Sequence, residues 1–99
     1  MDTLFRLDSK VAIVTGGNSG IGEGIAHGFA MAGATVVVAA RDQEKTARVT
    51  DEIKQKYGVP TLGIQADVSN ESSIKAMSEE TLSAFSRIDI LVNNAGVNI

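Results

Sequence analysis

Apolar positions alternate between two patterns along this chain. Strand-like stretches occur at Lys10–Thr15, Thr35–Ala40, Thr61–Ala66 and Ile88–Val92, and within the first two Val11–Val14 and Val36–Ala40 are continuous, mostly β-branched apolar runs. Runs of this kind, without polar alternation, read as strands buried on both faces. The stretches between them carry helical spacing. Ile21, Ile25, Phe29 and Ala32 share one face of a helix over about residues 20–32. A charged helix over about 42–57 offers Ala47, Val49 and Ile53 for packing, and a third over about 70–85 offers Ile74, Met77, Ala84 and Phe85. Gly33 stands where a left-handed cap is expected, Gly58 and Pro60 stop the second helix, and Ser69 is read as the N-cap of the third with Glu71 in its first turn. Leu4, Phe5 and Leu7 form an apolar lead-in.

Buried strands alternating with amphipathic helices predict an α/β fold with right-handed crossovers. The expected arrangement is a partial, Rossmann-like doubly wound parallel sheet, with strand order 3-2-1-4 and three crossover helices. Strands one and four then flank the switch point, where ligands bind at the carboxyl ends of strands.

The chain has 99 residues, enough for one small domain, and 43% of them are hydrophobic. A net charge of −3 leaves no basic footprint for nucleic acid. The absence of cysteine excludes disulfides and thiolate metal sites. Asp2, Arg6 and Asp8 interrupt the start of the chain, which argues against a signal peptide, and no apolar run is long enough to span a bilayer. The expectation is a cytoplasmic protein with neither membrane nor nucleic-acid partners.

Candidate chemistry gathers at Val11–Gly22, V-A-I-V-T-G-G-N-S-G-I-G. Gly16, Gly17, Gly20 and Gly22 join a strand to a helix, so backbone N–H groups and the helix dipole favour an anion there. A dinucleotide pyrophosphate is the first ligand expected; a glycine-rich turn without ligand, or an unrelated phosphate-binding domain, is the alternative. The loop is neither G-x-G-x-x-G nor a Walker sequence, because no Gly-Lys-Ser/Thr follows it.

T-G-x-x-x-G-I-G at Thr15, Gly16, Gly20, Ile21 and Gly22, followed by Asp67-Val68 and by N-N-A-G at Asn93, Asn94, Ala95 and Gly96, resembles the short-chain dehydrogenase/reductase family from Lys10 to Gly96. The resemblance implies a cofactor site made of Gly16, Asn18, Ser19, Gly20, Ile21, Gly22, Asp67, Val68, Asn94, Ala95 and Gly96. It implies that Asp67 and the Val68 amide hold adenine, while the asparagines also tie neighbouring loops together. Asp67 as a plain turn residue is the competing reading.

Proteins that bind NAD place a carboxylate at the end of strand two for the ribose 2′-hydroxyl. Ala40 occupies that place here and Arg41 follows. A guanidinium pairs with a 2′-phosphate, so NADP(H) is the preferred cofactor, with Arg41 as determinant. NAD(H) remains the alternative if Asp42 reaches the ribose.

The family's reaction is hydride transfer between the nicotinamide and a carbonyl or alcohol carbon, assisted by Tyr, Lys and Ser. Tyr57, the one tyrosine, is followed four residues later by Thr61, so Y-x-x-x-K is absent and no catalytic residue is assigned. Tyr57 reads as a surface-packing residue and His27 as a lone histidine off the main apolar face. The expectation is the N-terminal part of an oxidoreductase, probing a small-molecule substrate only in its homo-oligomeric parent, with strand four left as an apolar edge. A short, non-catalytic dinucleotide-binding or partner module is the alternative.

Overall fold

The computed structural model describes residues 6–94. Four parallel strands, β1 (Val11–Thr15), β2 (Thr35–Ala40), β3 (Thr61–Gln65) and β4 (Ile90–Asn93), alternate with helices α1 (Gly20–Met31), α2 (Gln43–Tyr57) and α3 (Glu71–Phe85). The sheet order is β3-β2-β1-β4, the expected doubly wound arrangement. Val14 pairs with Val38 on one side and Val92 on the other, so β1 is central and β4 lies at an edge.

The continuous apolar runs are explained by two cores. On one sheet face Val14, Val36 and Val38 meet Ala26 and Ala30 of α1 and Val49 and Ile53 of α2. On the other, Ile13, Val37, Ala39 and Ile64 meet Met77 of α3, with Phe85 and Ile88 partly buried against them. Every residue of β1 is buried, as its two covered faces require.

The helix faces differ in detail from those expected. α1 turns its small residues Gly22, Ala26 and Ala30 inward, which lets the helix lie close to the sheet, while Ile21 is 59% exposed. α2 buries Thr46, Val49, Thr50 and Ile53, leaving Ala47 outside. Its two threonines are accommodated because the Thr50 hydroxyl donates to the Thr46 and Ala47 carbonyl oxygens. α3 buries Met77 and Thr81, whereas Ile74 and Ala84 are exposed.

The third helix is capped by Asn70 rather than Ser69. Asn70 Oδ1 accepts the Ser73 N–H at 3.2 Å, while the Ser69 hydroxyl is committed to Asp67 Oδ1 at 2.6 Å. β4 begins at Ile90, two residues later than expected, because Asp89 turns its carboxylate back to β1. At the other boundaries, Gly33 has φ 97 just after α1 and Gly58 has φ 71 at the end of α2, as the sequence predicts. Leu7 is half-buried and its N–H donates to the Ala32 carbonyl at 2.7 Å. Leu4 and Phe5 lie outside the described residues, as do Ala95 and Gly96 of N-N-A-G.

Candidate functional site

The ends of all four strands converge on one cleft of about 400 Å³. β1 contributes Gly16, β2 leads to Ala39, Ala40 and Arg41, β3 leads to Ala66–Ser69, and β4 contributes Asn93. This is the carboxyl-end crevice at the switch point, produced by the reversal of strand order around β1. A neighbouring hollow shares Arg41, Ala66 and Asp67 with it and extends to Gln65 and Ser73.

The floor of the cleft is fastened by Thr15. Its hydroxyl lies 3.2 Å from both the Val92 carbonyl and Asn93 Oδ1, and accepts the Asn94 N–H at 2.9 Å. Thr15 is 2% exposed, so its polar atom needs these partners. The Asn94 side chain donates toward the Gly16 carbonyl at 3.5 Å. Asn93 and Asn94 thus tie β4 to the glycine loop.

The loop turns under α1. A Cβ at Gly22 would collide with the Gly16 carbonyl oxygen and lie 2.6 Å from Asn94 Nδ2. Only a residue without a side chain allows that approach. Ser19 precedes α1 in extended backbone and makes no side-chain cap, so the first amides at Gly20, Ile21 and Gly22 are not satisfied by it. Asn18 is buried, and its amide donates to the Thr46 hydroxyl at 3.3 Å, which binds the loop to α2. Gly20 and Ile21 sit exposed at the start of the helix.

Two residues at the rim have contrasting commitments. The Arg41 guanidinium forms no ion pair among the described residues, and the Gln65 side-chain amide donates to its carbonyl oxygen at 3.2 Å. Asp42 next to it is spent as the N-cap of α2, with Oδ1 accepting the Lys45 N–H at 3.0 Å.

Asp67 is set by its own turn. Oδ1 accepts both the Ser69 hydroxyl at 2.6 Å and the Ser69 N–H at 3.0 Å, and the Asp67 N–H donates to Ser73 Oγ at 2.9 Å. The Ser69 hydroxyl, then the Ser69 amide and the Arg41 charge hold the carboxyl below its ordinary value. Oδ1 is therefore occupied, and Oδ2 makes no hydrogen bond among the described residues. Val68 lines the cleft beside it.

The structure brings Gly16, Arg41, Asp67 and Val68 together in one cleft, with Asn94 fastened to Gly16 and the Asn18–Gly22 segment leading into α1. Sequence reasoning missed Thr15 as the hub, the Ser69–Ser73 pair that fixes Asp67, and Ala39 in the lining. The pattern Asp-x-Ser is an Asx-turn signal that identifies the Ser69 contact. His27 is not alone: its Nδ1 lies 2.9 Å from the Tyr57 hydroxyl, away from the cleft lining.

Comparison with known proteins agrees with this geometry. The model of the short chain dehydrogenase family matches residues 10–99. A 3-oxoacyl-[acyl-carrier-protein] reductase of Aquifex aeolicus is 42% identical over 93% of this chain and 37% of its own length. A 7alpha-hydroxysteroid dehydrogenase of Escherichia coli is 43% identical over 92% of this chain and 35% of its own. L-Sorbose reductase from Gluconobacter frateurii, solved with NADPH and L-sorbose, superposes with a TM-score of 0.93 at 40% identity, covering all of this chain and 37% of that one. The chain thus spans little more than a third of the length of these relatives. No helix among the described residues is long and apolar enough to cross a membrane. With its strand order, its T-G-x-x-x-G-I-G loop and a family match over nearly the whole sequence, this chain belongs to the short-chain dehydrogenase family of oxidoreductases.

Proposed function

We propose that this chain is the N-terminal, cofactor-binding part of an NADP(H)-dependent oxidoreductase acting on a carbonyl or alcohol substrate. The observation that carries the cofactor choice is the pairing of an Arg41 guanidinium without an ion-pair partner among the described residues and an Asp42 carboxylate consumed by the α2 cap. The Asp42 carboxylate is engaged through Oδ1 in the α2 cap, and the Arg41 guanidinium lines the cleft as a cation suited to a 2′-phosphate. The NADPH bound to the sorbose reductase relative supports the same choice.

In this reading the amides at Gly20–Gly22 and the N-terminus of α1 receive the pyrophosphate. Asp67 Oδ2 accepts from the adenine amine, and the Val68 N–H donates to a ring nitrogen. Asn18 and Ser19 contribute backbone, since the Asn18 side chain is committed to Thr46. Asn94, with Ala95 and Gly96 beyond the described residues, borders the nicotinamide end. The bound cofactor supplies or accepts the hydride. Proton transfer falls to residues outside this stretch, because Y-x-x-x-K is absent and Tyr57 packs against His27. The parent's small-molecule substrate, homo-oligomeric assembly and cytoplasmic location belong to the same proposal. NAD(H) is the alternative cofactor, and a short non-catalytic binding module the alternative protein.

Fluorescence titration with NADPH and NADH tests the proposal directly. Arg41→Ala should weaken NADPH by about tenfold or more and NADH little, the magnitude expected of a charge-assisted bond. Equal losses for both cofactors would remove Arg41 as determinant. Failure of both cofactors to bind the chain would remove the binding proposal itself.

A further inference from the structure

On the outer side of the α1–α2 pair, away from the cleft lining, three potential metal ligands face one another. Glu23 and His27 lie one turn apart on α1, and Glu52 reaches them from α2. Each offers one donor atom, and the three atoms lie within 4.8 Å of one another. The His27 side chain is 17% exposed, Glu23 35% and Glu52 56%, so the group is partly sheltered yet open on the Glu52 side.

The separations are informative. His27 Nε2 stands 3.5 Å from Glu52 Oε1 and 3.8 Å from Glu23 Oε2. Charge-assisted N–H···O bonds close to about 2.7–2.9 Å, so neither contact is a formed hydrogen bond. Tetrahedral ligands at about 2.1 Å from a zinc-type ion stand about 3.4 Å apart, the length of the tetrahedron's edge. Both observed separations are near that edge.

The fourth participant orients the ring. The Tyr57 hydroxyl lies 2.9 Å from Nδ1, and the two rings meet edge to face with centroids 5.5 Å apart. When Nδ1–H donates to Tyr57 Oη, Nε2 is the unprotonated nitrogen, and it is Nε2 that stands beside both carboxylates. Metal-ligating histidines are held in this way through their second nitrogen.

We propose that Glu23, His27 and Glu52 form a binding site for a divalent zinc-type cation, with Tyr57 as the partner that positions the imidazole. An N/O₂ donor set with the fourth position left to water suits zinc and its first-row neighbours. The imidazole discriminates against Mg²⁺ and Ca²⁺, which take oxygen ligands. Two carboxylates balance the ion's charge. Because the donors come from both helices, the ion clamps α1 to α2, and the N-termini of these helices carry the glycine loop and the Arg41–Asp42 corner. The site is independent of the cofactor proposal.

The composition makes the test unambiguous, since His27 is the one histidine and cysteine is absent. Zn²⁺ alone is titrated into the 99-residue chain in a non-chelating buffer, by calorimetry and by NMR of the single imidazole. The expected result is saturation at one ion per chain, with the perturbation on Nε2 and a proton retained on Nδ1. Tyr57→Phe weakens binding by about tenfold, as loss of such a supporting bond does elsewhere. Glu52→Gln weakens it at least as much, and this exposed position keeps the result clear of folding effects. His27→Gln abolishes it, and an equal concentration of Mg²⁺ leaves the imidazole unshifted. A wild-type chain that shows no saturable one-to-one binding overturns the site. So does binding that survives His27→Gln or Glu52→Gln unchanged.

Discussion

The Thr15 hydroxyl accepts the Asn94 N–H at 2.9 Å, joining residues 79 apart in sequence. The same oxygen lies within 3.2 Å of the Val92 carbonyl and Asn93 Oδ1. One side chain at the end of β1 therefore sets the position of β4 at the cleft. Thr15→Val keeps the shape and removes the hydroxyl, leaving the Asn94 N–H without this acceptor. Urea denaturation should show a loss of about 1–3 kcal/mol, and Thr15→Ser should lose clearly less. Equal stability of Thr15→Val and wild type would show that water replaces the hydroxyl at no cost.

Gly22→Ala forces a methyl group against the Gly16 carbonyl oxygen. That oxygen is backbone and belongs to the loop, so relief requires moving the loop or α1. The expected cost is about 2 kcal/mol or more, with loss of nucleotide affinity. Gly24→Ala, two residues further along α1 where a Cβ meets nothing within 4 Å, should instead stabilise the chain by about 0.5–1 kcal/mol. Thermal melts of the two variants should move in opposite directions.

Ser86 ends α3 with φ 69, a left-handed conformation in a residue that carries a Cβ. Glycine is relieved of that steric penalty, so Ser86→Gly should stabilise the chain by up to about 1 kcal/mol. A melting temperature at or below that of wild type would show that the greater freedom of glycine in the unfolded chain outweighs the relief.

Acid should loosen the sheet at the start of β4. Arg87 donates two bonds of 2.8 Å to Asp89, whose Oδ2 also accepts the Val11 N–H at 2.8 Å. The Arg87 bonds, then the Val11 amide, lower the Asp89 carboxyl below its ordinary value; Asp8 and Asp67 are lowered by Arg6 and by Ser69. A lowered folded value means that the unfolded chain binds protons first. The stability from these groups is complete above the unfolded value of about 4 and is lost as pH falls through the folded values. Denaturation midpoints should therefore decline below about pH 4, and Asp89→Asn should decline less steeply from a lower starting stability. Parallel declines in the two proteins would exclude Asp89 as a contributor.

The βαβ order was legible because strands covered on both faces leave continuous apolar runs, such as Val36–Val38, which are fully buried. The strand order followed from the same alternation. Helix orientation was less legible. Ile21 fits the helical spacing of Ile25 and Phe29, yet the close approach to the sheet selects the small row Gly22, Ala26 and Ala30. Ser69 and Asn70 are both good caps, and the choice between them depends on Asp67 capturing the Ser69 hydroxyl. The pairing of His27 with Tyr57 links two helices and has no local signature. At the cleft, the glycines and Asp67 announced themselves, whereas the role of Thr15 required knowing what lies beside it. The part of N-N-A-G at Ala95 and Gly96 lies outside the described residues.

The Thr15–Asn93 pairing closes the β1 side of the sheet only after 78 further residues have been added. At translation rates of about 5–20 residues per second, one edge of the most buried strand stays open on the ribosome for about 4–16 s. Through that interval the open ladder of Val11–Thr15 is available to any other nascent strand. Synthesis of this protein thus includes a period in which its yield is set by competition between emergence of the fourth strand and capture by a neighbouring chain. Slow codons in the α3 segment would lengthen that period, and a holding chaperone would cover it.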